Sequence, residues 1–386
     1  MADKSVSTKI EGPKKAFKGK KFRIAIIGCG GISIAHLNAY KDIPEVEIVA
    51  GVDIKADRLI AMRDKWGVPE ENLFGADIKT GKTTSDTAWI EMLEKVKPDA
   101  VDVCTPNGLH CAPIVYCCEH GCHAFVEKPM AMSPAECEQM IAAAKKGKVK
   151  LSVGFQHRYR PKSIALSQAR EKGVFGDIMY IHCKALRRRG IPNWGVFGQK
   201  KLQGGGPMID IGVHILECAY DFLGGPRPVA ASGNCWTYMG NKPSKTLNPW
   251  PNWDYKTYTV EDLAVGQIRF ETGTILQIES SFVAHIKGNG AFDWTAMGTK
   301  AGCDWETAEI YTDMNNLMVD AKPTYLGDGS ADGDWNIMFK AKLQDWVNAC
   351  RKGTPQGAPG EAGLAVQKML DGIYRSAAEG KEVTID

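Results

Sequence analysis

Short apolar segments alternate with helical segments over residues 21–155, and this alternation constrains the fold more than any other feature of the sequence. Strands separated by helices of this length are typical of a doubly wound, mostly parallel sheet. We therefore predict an α/β domain over residues 21–155. The predicted strands are 21–28, 46–53, 99–106, 123–128 and 149–155, and the predicted helices are 31–41, 56–66, 87–96, 110–121 and 133–147.

The pattern changes after this domain. From about residue 177 the strand candidates are long and amphipathic, and Thr272–Gly273 between two of them is a hairpin turn signal. We predict a C-terminal α/β domain over 156–386 with a large, mainly antiparallel open sheet, whose last helices can pack back on the first domain. The predicted strands are 177–186, 228–238, 258–271, 274–285 and 291–299, and the helices lie near 335–351 and 361–378.

Composition limits the possible partners. The chain has 386 residues, of which 44% are hydrophobic and 24% are charged, with a net charge of +3, which is too mild to indicate nucleic acid. A basic stretch, 14–21, falls mainly in the polar segment 1–20, which we interpret as a flexible arm because no apolar segment of signal-peptide length follows it. No apolar run reaches the length of a membrane span. We expect a cytoplasmic protein with no membrane or nucleic-acid partner.

The twelve cysteines lie mostly in apolar segments, and a chain of this length does not need disulfides, so we expect reduced, buried thiols. The group 117–123 contains three cysteines and two histidines and raises the alternative of a zinc site. It lacks the paired C-x-x-C spacing of structural zinc sites and falls at a helix-to-strand junction. We predict no metal.

The turn after the first strand indicates a dinucleotide site. It reads Gly28–Cys29–Gly30–Gly31–Ile32–Ser33, in which glycines allow a tight turn and a close approach to a pyrophosphate at a helix N-terminus. Ser33 stands where the third glycine of the fingerprint would be. Asp53 ends the second strand, 20 residues beyond Ser33, where a carboxylate accepts hydrogen bonds from a ribose and repels a 2′-phosphate. NAD is favoured over NADP; a glycine turn without a ligand is the alternative.

Two further strand ends belong to the same edge of the predicted sheet, because ligands of open sheets bind at the carboxyl ends of the strands. These ends are Thr105–Pro106–Asn107 and Glu127–Lys128–Pro129. The residue before a proline is held extended, so Lys128 is fixed at its strand tip, where a cis bond is plausible. The alternative is an ordinary solvated lysine at a strand end.

The segment Gly204–His214 supplies the third candidate. Three glycines permit close backbone approach to a ligand, and Asp210 and His214 are spaced i, i+4, which places both on one face of a helix. A carboxylate beside an imidazole orients a general base. A capping aspartate and a satisfied helical histidine are the alternative. We expect no such partner for the remaining histidines: His36, His110, His120, His123, His157, His182 and His285.

Together these motifs resemble the glucose–fructose oxidoreductase / inositol dehydrogenase / MocA (Gfo/Idh/MocA) family. The resemblance rests on Gly28–Gly31, on Thr105–Pro106–Asn107 with His110, on Glu127–Lys128–Pro129 and on the Asp210/His214 pair, in this order from about residue 21 onward. It implies an N-terminal Rossmann domain, a C-terminal α/β domain whose sheet mediates oligomerisation, and pyridine-nucleotide oxidoreduction of sugars, polyols or their derivatives. A homodimer or homotetramer is expected.

The resemblance also implies roles for single residues. Lys128 would hydrogen-bond the reacting hydroxyl, His214 would be the general base and Asp210 would position it or the substrate. Glu127 and Asn107 would lie along the nicotinamide ribose. Trp194 stands where some relatives have Trp-Arg, but Gly195 replaces the arginine. The expected cofactor residues are Gly28, Gly30, Gly31, Ile32, Asp53, Thr105, Pro106, Asn107, His110, Glu127, Lys128 and Trp194, and the expected substrate residues are Lys128, His157, Arg158, Tyr159, Asp210 and His214.

The function that this constellation favours is an NAD-dependent sugar or polyol dehydrogenase acting on a small carbohydrate, with hydride passing between the C–OH carbon and nicotinamide. Tryptophans at 194, 236, 250 and 253 suit a free sugar or a glycoside equally. The main alternative is a redox-neutral glycosidase or lyase that holds NAD tightly and cleaves a glycoside through a transient keto-sugar. A non-enzymatic NAD sensor is a further alternative, although it would not need Lys128, Asp210 and His214 together.

Overall fold

The structure is a computed structural model that describes residues 19–247, 250, 252–324, 326 and 335–386. The predicted basic arm, 1–20, lies outside the described residues except for its last two positions. The chain divides into two compact units. The first holds the described part of Met1–Ala131 with Ala135–Gln156 and Gly333–Gly363, and the second holds Met132–Pro134, the described part of His157–Asp332, and Leu364–Asp386.

The first unit contains a parallel sheet, as predicted. Its strand order is β3-β2-β1-β4-β5-β6, and every neighbouring pair is parallel. The order changes direction between β1 and β4, which is where such sheets bind ligands. Its strands are β1 (Phe22–Ile27), β2 (Val46–Val52), β3 (Leu73–Phe74), β4 (Ala100–Val103), β5 (His123–Val126) and β6 (Leu151–Val153), and its helices are α1 (Gly31–Tyr40), α2 (Ala56–Trp66), α3 (Trp89–Val96), α4 (Cys111–Glu119), α5 (Pro134–Gly147) and α9 (Trp335–Lys352).

Helix α9 completes the core of the first unit although it is far away in sequence. Its Phe339, Leu343 and Trp346 are at most 1% exposed and pack in one apolar cluster with Ile24 and Phe125 of the sheet. Full burial of each such side chain stabilises the fold by about 1.5–3 kcal/mol. The two C-terminal helices therefore belong to different units. Helix α9 belongs to the first unit, and most of α10 (Gly360–Glu379) belongs to the second.

The second unit contains a large, mainly antiparallel sheet, as predicted. Its order is β14-β13-β12-β11-β7-β10-β9-β8-β15, and only β7 and β10 pair in parallel among the described strands. Its strands are β7 (Ile178–Arg187), β8 (Pro228–Trp236), β9 (Leu263–Phe270), β10 (Ile275–Ser281), β11 (Gly290–Gly298), β12 (Ala301–Asp304), β13 (Ile310–Met314), β14 (Leu317–Ala321) and β15 (Val383–Thr384), and its helices are α6 (Pro161–Glu171), α7 (Lys200–Gln203), α8 (Val213–Leu223) and α10 (Gly360–Glu379).

Most predicted boundaries agree with the structure within a few residues. The predicted hairpin is present, with Gly273 at φ 86° between β9 and β10. The prediction was wrong at 258–262, where an irregular segment precedes β9. It also missed strands β3, β12, β13, β14 and β15 and helices α6 and α7. Strands β13 and β14 lie at one edge of the second sheet, where exposed side chains weaken the alternating hydrophobic pattern, and β3 and β15 have only two residues each.

Two other expectations can be compared with the structure. All twelve cysteines are free thiols, and nine of them are buried, as expected for a chain that needs no disulfide staples. In the part of the chain that the structure describes, no helix combines the length and apolar character required to cross a bilayer.

Candidate active site

The turn after β1 has the backbone geometry that a dinucleotide requires. Gly28 has φ 87°, and a Cβ atom there would lie 2.8 Å from the backbone of Cys104, so only glycine fits. A Cβ on Gly30 or Gly31 would meet nothing within 4 Å, which leaves open space in front of helix α1. That helix has no side-chain cap and no acidic residue in its first turn, and Ile32 is exposed. Its N-terminal amides and dipole suit a pyrophosphate.

Asp53, directly after β2, accepts a hydrogen bond from the backbone of this turn. Its Oδ2 accepts a hydrogen bond from the Cys29 backbone N–H at 2.8 Å, and its Oδ1 accepts one from the Lys55 N–H, also at 2.8 Å. An ionised carboxylate has about four acceptor sites, so two more remain for ribose hydroxyls. The residues present therefore fit the adenosine half of a dinucleotide.

His110 connects the ends of the next two strands. Its Nδ1 lies 3.0 Å from the carbonyl oxygen of Pro129, and its Nε2 lies 2.8 Å from that of Thr105. The ring is fully buried, which lowers its pKa although the backbone hydrogen bonds oppose the shift. Both ring nitrogens are thus occupied by backbone groups. His110 holds the strand ends in place. Thr105 and Pro106 are partly exposed and Asn107 is buried, and contact of these residues with the cofactor stays a prediction.

Lys128 lies just beyond β5, partly exposed, and its bond to Pro129 is cis. The preceding residue, Glu127, is 5% exposed. Its Oε1 accepts hydrogen bonds from Nζ of Lys342 and from Nε2 of His36, and its Oε2 accepts one from the Lys128 backbone N–H at 3.2 Å. Glu127 is therefore held inside the first unit, where it fixes the backbone at Lys128; a contact with the nicotinamide ribose stays a prediction.

His36 belongs to this buried network, so the expectation that it lacks a partner was wrong. Its Nδ1 lies 2.7 Å from Oδ2 of Asp102, which also accepts the Tyr40 hydroxyl at 2.9 Å, and its Nε2 lies 2.9 Å from Oε1 of Glu127. Burial alone would lower the pKa of His36, but the charge of Asp102 and the hydrogen bonds to both carboxylates raise it. The signal in the sequence was an aspartate inside the apolar strand Ala100–Val103.

The side chains of His36, Asp102 and Cys104 offer atoms within 4.8 Å of one another, the only such group in the described residues. All three are buried, the polar atoms already hydrogen-bond within the network, and burial raises the pKa of the Cys104 thiol well above its usual value. A neutral thiol is a poor metal ligand. The group is therefore explained as a hydrogen-bond network.

In the second unit, Glu261 organises the glycine run that precedes Asp210. Its carboxylate accepts hydrogen bonds from the backbone N–H of Gly206 at 2.8 Å, from that of Met208 at 3.2 Å, and from the Tyr374 hydroxyl at 2.7 Å. Burial raises the pKa of Glu261, and these hydrogen bonds oppose the shift. A Cβ on Gly205 would collide with the Tyr374 hydroxyl. A Cβ on Gly206 would collide with the Glu261 carbonyl, so this packing requires glycine at both 205 and 206. Sequence analysis missed both Glu261 and Tyr374.

The segment Met208–Gly212 is a π-helix that continues into α8, so Asp210 and His214 lie on one continuous helical segment; that their side chains share one face stays a prediction. Asp210 lies in the π-helical turn and is 7% exposed, whereas His214 lies in the first turn of α8 and is half-buried. Helical π segments occur frequently at functional sites.

The structure brings His157 together with His214. Their rings meet edge to face, with centroids 5.1 Å apart, and His157 also contacts the rings of Phe292 and Trp305. His157 is buried and His214 is half-buried, so the pair extends from the interior of the second unit toward its surface. That both residues belong to the substrate site stays a prediction.

Arg158 is used differently from the sequence expectation. Its guanidinium is buried, it pairs with Glu217, and its Nη1 lies 3.0 Å from Oδ1 of Asp221, so it is committed to two carboxylates of α8. These charges raise its pKa although burial opposes the shift. The following Tyr159 is partly exposed. We assign Arg158 to the internal structure of this unit and omit it from the proposed substrate contacts.

Trp194 lies on the surface of the second unit. Its side chain is 53% exposed and stacks on Trp250, with ring centroids 5.4 Å apart and planes inclined by 16°. Trp250 lies far from Trp194 in the chain, so no local sequence pattern could have paired the two rings.

Two family models match the chain. The model described as "Oxidoreductase family, NAD-binding Rossmann fold" matches residues 22–155, and the one described as "Oxidoreductase family, C-terminal alpha/beta domain" matches residues 170–385. Both bear the name of the Gfo/Idh/MocA family. Together they span nearly all of the described chain.

Similar proteins agree with these matches. A protein of Escherichia coli named D-glucoside 3-dehydrogenase is 33% identical over 377 residues, covering 96% of this chain and 100% of the relative. One of Paraburkholderia graminis named D-apiose dehydrogenase is 26% identical over 386 residues, covering 95% and 90%. A solved structure of levoglucosan dehydrogenase with NADH and levoglucosan has a TM-score of 0.78 at 22% identity, covering 95% of this chain and 100% of that one, and it supports the fold.

Proposed function

Because the chain belongs to the Gfo/Idh/MocA family of oxidoreductases, we propose that it is an NAD-dependent dehydrogenase that oxidises a hydroxyl group of a sugar, polyol or glycoside. One observation supports this more than any other: the 33% identity to a protein named D-glucoside 3-dehydrogenase extends over 96% of this chain. A glucoside is accordingly the first substrate to test.

The proposed chemistry uses three side chains: Lys128, Asp210 and His214. The ammonium group of Lys128 donates a hydrogen bond to the substrate hydroxyl oxygen and stabilises negative charge as it develops there. A ring nitrogen of His214 accepts the hydroxyl proton, and Asp210 orients the imidazole or the substrate. When bound, NAD supplies an acceptor for the hydride that leaves the carbinol carbon. The reverse direction reduces the ketone with the same groups.

The proposed cofactor residues are those of the first unit. The amides at the start of α1 bind the pyrophosphate, and Gly30 and Gly31 leave it room. Asp53 accepts hydrogen bonds from the adenosine ribose, and its charge disfavours a 2′-phosphate, so NAD is preferred over NADP. Thr105, Pro106 and Asn107 follow β4 at the same edge of the sheet and are proposed to contact the nicotinamide half.

The experiment that tests the proposal measures NADH formation with NAD and a panel of D-glucose, methyl glucosides and myo-inositol. Lys128→Ala and His214→Ala should each lower kcat by roughly 10²–10⁴-fold, the usual contribution of a positioned acid or base. Dissociation constants for NADH, measured by titration calorimetry, should change little. Lys65→Ala and His120→Ala are the matched controls: each removes an exposed residue of the same type, and each should leave kcat unchanged.

Near-normal kcat in both active-site variants would refute the assigned roles. Free aglycone that accumulates without net NADH would identify a redox-neutral glycosidase or lyase instead. NADH formation with none of the panel would contradict the dehydrogenase proposal as a whole.

We also propose that the protein forms a homo-oligomer through the sheet of the second unit. Large apolar side chains are exposed on its strands, and Met318 on edge strand β14 is 93% exposed. Exposed apolar groups on a sheet mark interaction surfaces. Light scattering after size-exclusion chromatography should give a mass above 42.2 kDa for the full chain, and a monomer at all concentrations would refute the proposal.

A further inference from the structure

Arg187, at the end of β7, has two side-chain N–H groups that no other described residue accepts. Its Nη1 donates to the Gly190 carbonyl at 3.0 Å, but its Nε and Nη2 donate to no protein atom among the described residues. The guanidinium forms no ion pair with a described carboxylate, and burial lowers its pKa while the charge of Asp210 opposes the shift. Neither nitrogen is fully buried, so both donors are accessible to a ligand.

An aromatic surface adjoins these donors. The guanidinium carbon of Arg187 lies 4.7 Å from the ring centroid of Trp250, and that ring stacks on Trp194. Phe197 supports Trp194 edge to face at 6.2 Å. Trp194 is more than half exposed, so much of its ring surface is available to a ligand.

Arg187 also lies beside the segment that carries Asp210. Its backbone N–H donates to Oγ of Ser281, the last residue of β10. The neighbouring Ser280 donates to the carbonyl of Pro207 at 2.8 Å, directly before the π-helical turn with Asp210. The donors, the tryptophans and the proposed catalytic aspartate therefore occupy one region of the second unit.

We infer that Arg187, Trp194 and Trp250 form a subsite for the second ring of a glycoside, so that the substrate of this enzyme carries a ring on its anomeric oxygen and is not a free monosaccharide. The inference rests on the proposed function. An aromatic face packs against the C–H face of a sugar or the face of an aryl ring, and the fork of Arg187 donates to hydroxyl or glycosidic oxygens at the ring edge. Inositol and free glucose have a single ring each, so neither can place one ring at the reacting carbon and a second ring on the tryptophans.

The test compares one-ring and two-ring substrates in the holoenzyme. The probes are methyl and phenyl glucopyranosides of both anomers and cellobiose, and the quantity is the ratio of kcat/KM for each two-ring probe to that of the methyl glucoside. The ratio should exceed one in the unaltered protein. Trp194→Ala should lower it by about tenfold, mainly through KM, because the lost stacking is worth about one power of ten in affinity.

Two variants make the result specific. Arg187→Lys keeps the charge but loses the planar fork, and it should lower the same ratio. Tyr238→Ala removes an aromatic side chain that is 59% exposed in the same unit and should leave the ratio unchanged. If Trp194 instead contacts the cofactor, Trp194→Ala will lower kcat/KM for all probes by one factor and leave the ratio unchanged.

A constant ratio in Trp194→Ala and Arg187→Lys, or a ratio of one in the unaltered protein, would overturn the subsite and leave the proposed dehydrogenase intact. Oxidation of none of the glucosides would refute the dehydrogenase proposal, and the subsite with it.

Discussion

The ammonium nitrogen of Lys342 lies 2.5 Å from Oε1 of Glu127, although 215 residues separate the two in sequence. Both side chains are almost completely buried, and His36 joins them through the same carboxylate oxygen. The charge of Lys342 and the hydrogen bond from His36 hold the pKa of Glu127 well below its usual value, although burial opposes them. Helix α9 thereby fixes the backbone that presents Lys128.

Replacing Lys342 should destabilise the protein strongly. Lys342→Met leaves the carboxylate of Glu127 buried without its main counter-charge, which costs about 3–5 kcal/mol in the free energy of unfolding. The double variant Lys342→Met/Glu127→Gln should recover part of this loss, because the uncompensated charge is removed as well. Urea denaturation of the single and double variants measures both effects. Lys352→Met, an exposed change on the same helix, should stay within about 0.5 kcal/mol, and equal losses in the single and double variants would contradict the pairing.

Two glycines of the dinucleotide turn should respond differently to alanine. Gly28→Ala forces a side chain onto φ 87° and against the backbone of Cys104, so thermal stability should fall. A Cβ on Gly30 meets no protein atom, so Gly30→Ala should fold normally but bind NAD more weakly, because the methyl group occupies the approach of the pyrophosphate. Thermal denaturation and calorimetric titration with NADH separate the two effects. Unchanged NADH affinity in Gly30→Ala would place the cofactor elsewhere.

Asp53 should determine the choice between NAD and NADP. Asp53→Asn keeps an oxygen that can accept the Cys29 N–H but removes the negative charge that repels a 2′-phosphate. The ratio of the dissociation constants for NADPH and NADH should fall by about tenfold or more. Asp53→Ser should shift the ratio in the same direction and also weaken NADH binding. An unchanged ratio in both variants would show that the carboxylate does not face the ribose.

The hydrogen bonds of Glu261 with the glycine run and Tyr374 should affect kcat because they position the segment that carries Asp210. Tyr374→Phe removes one hydrogen bond to Glu261, and Glu261→Gln places an amide group where two backbone N–H groups need acceptors. The expected losses in unfolding free energy are about 0.5–1.5 kcal/mol for Tyr374→Phe and about 1–3 kcal/mol for Glu261→Gln. At a temperature where both variants are folded, kcat should fall in the same order while NADH affinity is unchanged. Equal kcat in the unaltered protein and both variants would show that these hydrogen bonds contribute to stability alone.

Asp293 should make the stability of the protein depend on pH. Burial, with the charge of Asp304 second, raises its pKa from 3.8 to about 7. The folded state thus favours the neutral carboxyl, so its stabilising contribution is complete below the unfolded pKa and is lost as the pH rises through about 7. Asp293→Asn should raise the Tm at pH about 8 and give little gain at pH about 4. Asp313→Asn, an exposed change in the same sheet, is the control; an equal gain from Asp293→Asn at both pH values would contradict the raised pKa.

Local patterns in the sequence determined the fold class. Apolar runs of strand length, helices between them and the Gly28–Gly31 turn all depend on neighbouring residues, so a parallel sheet with a dinucleotide turn followed from periodicity and backbone freedom. The longer amphipathic strands and the Thr272–Gly273 turn likewise indicated the second sheet. The edge strands β13 and β14 were missed because their mostly exposed side chains follow no clear alternation.

The tertiary structure decided which polar groups meet. Lys342 with Glu127, Tyr374 with Glu261 and Trp194 with Trp250 are each joined only when distant segments pack together, and such pairings have no periodic signature in the chain. The π-helical turn at Asp210 and the burial of His110 are similarly products of packing, which can override local helical preference and can turn a side chain inward. Residue types and spacing thus identified the candidate groups, while their neighbours, charges and orientations depended on contacts between remote parts of the sequence.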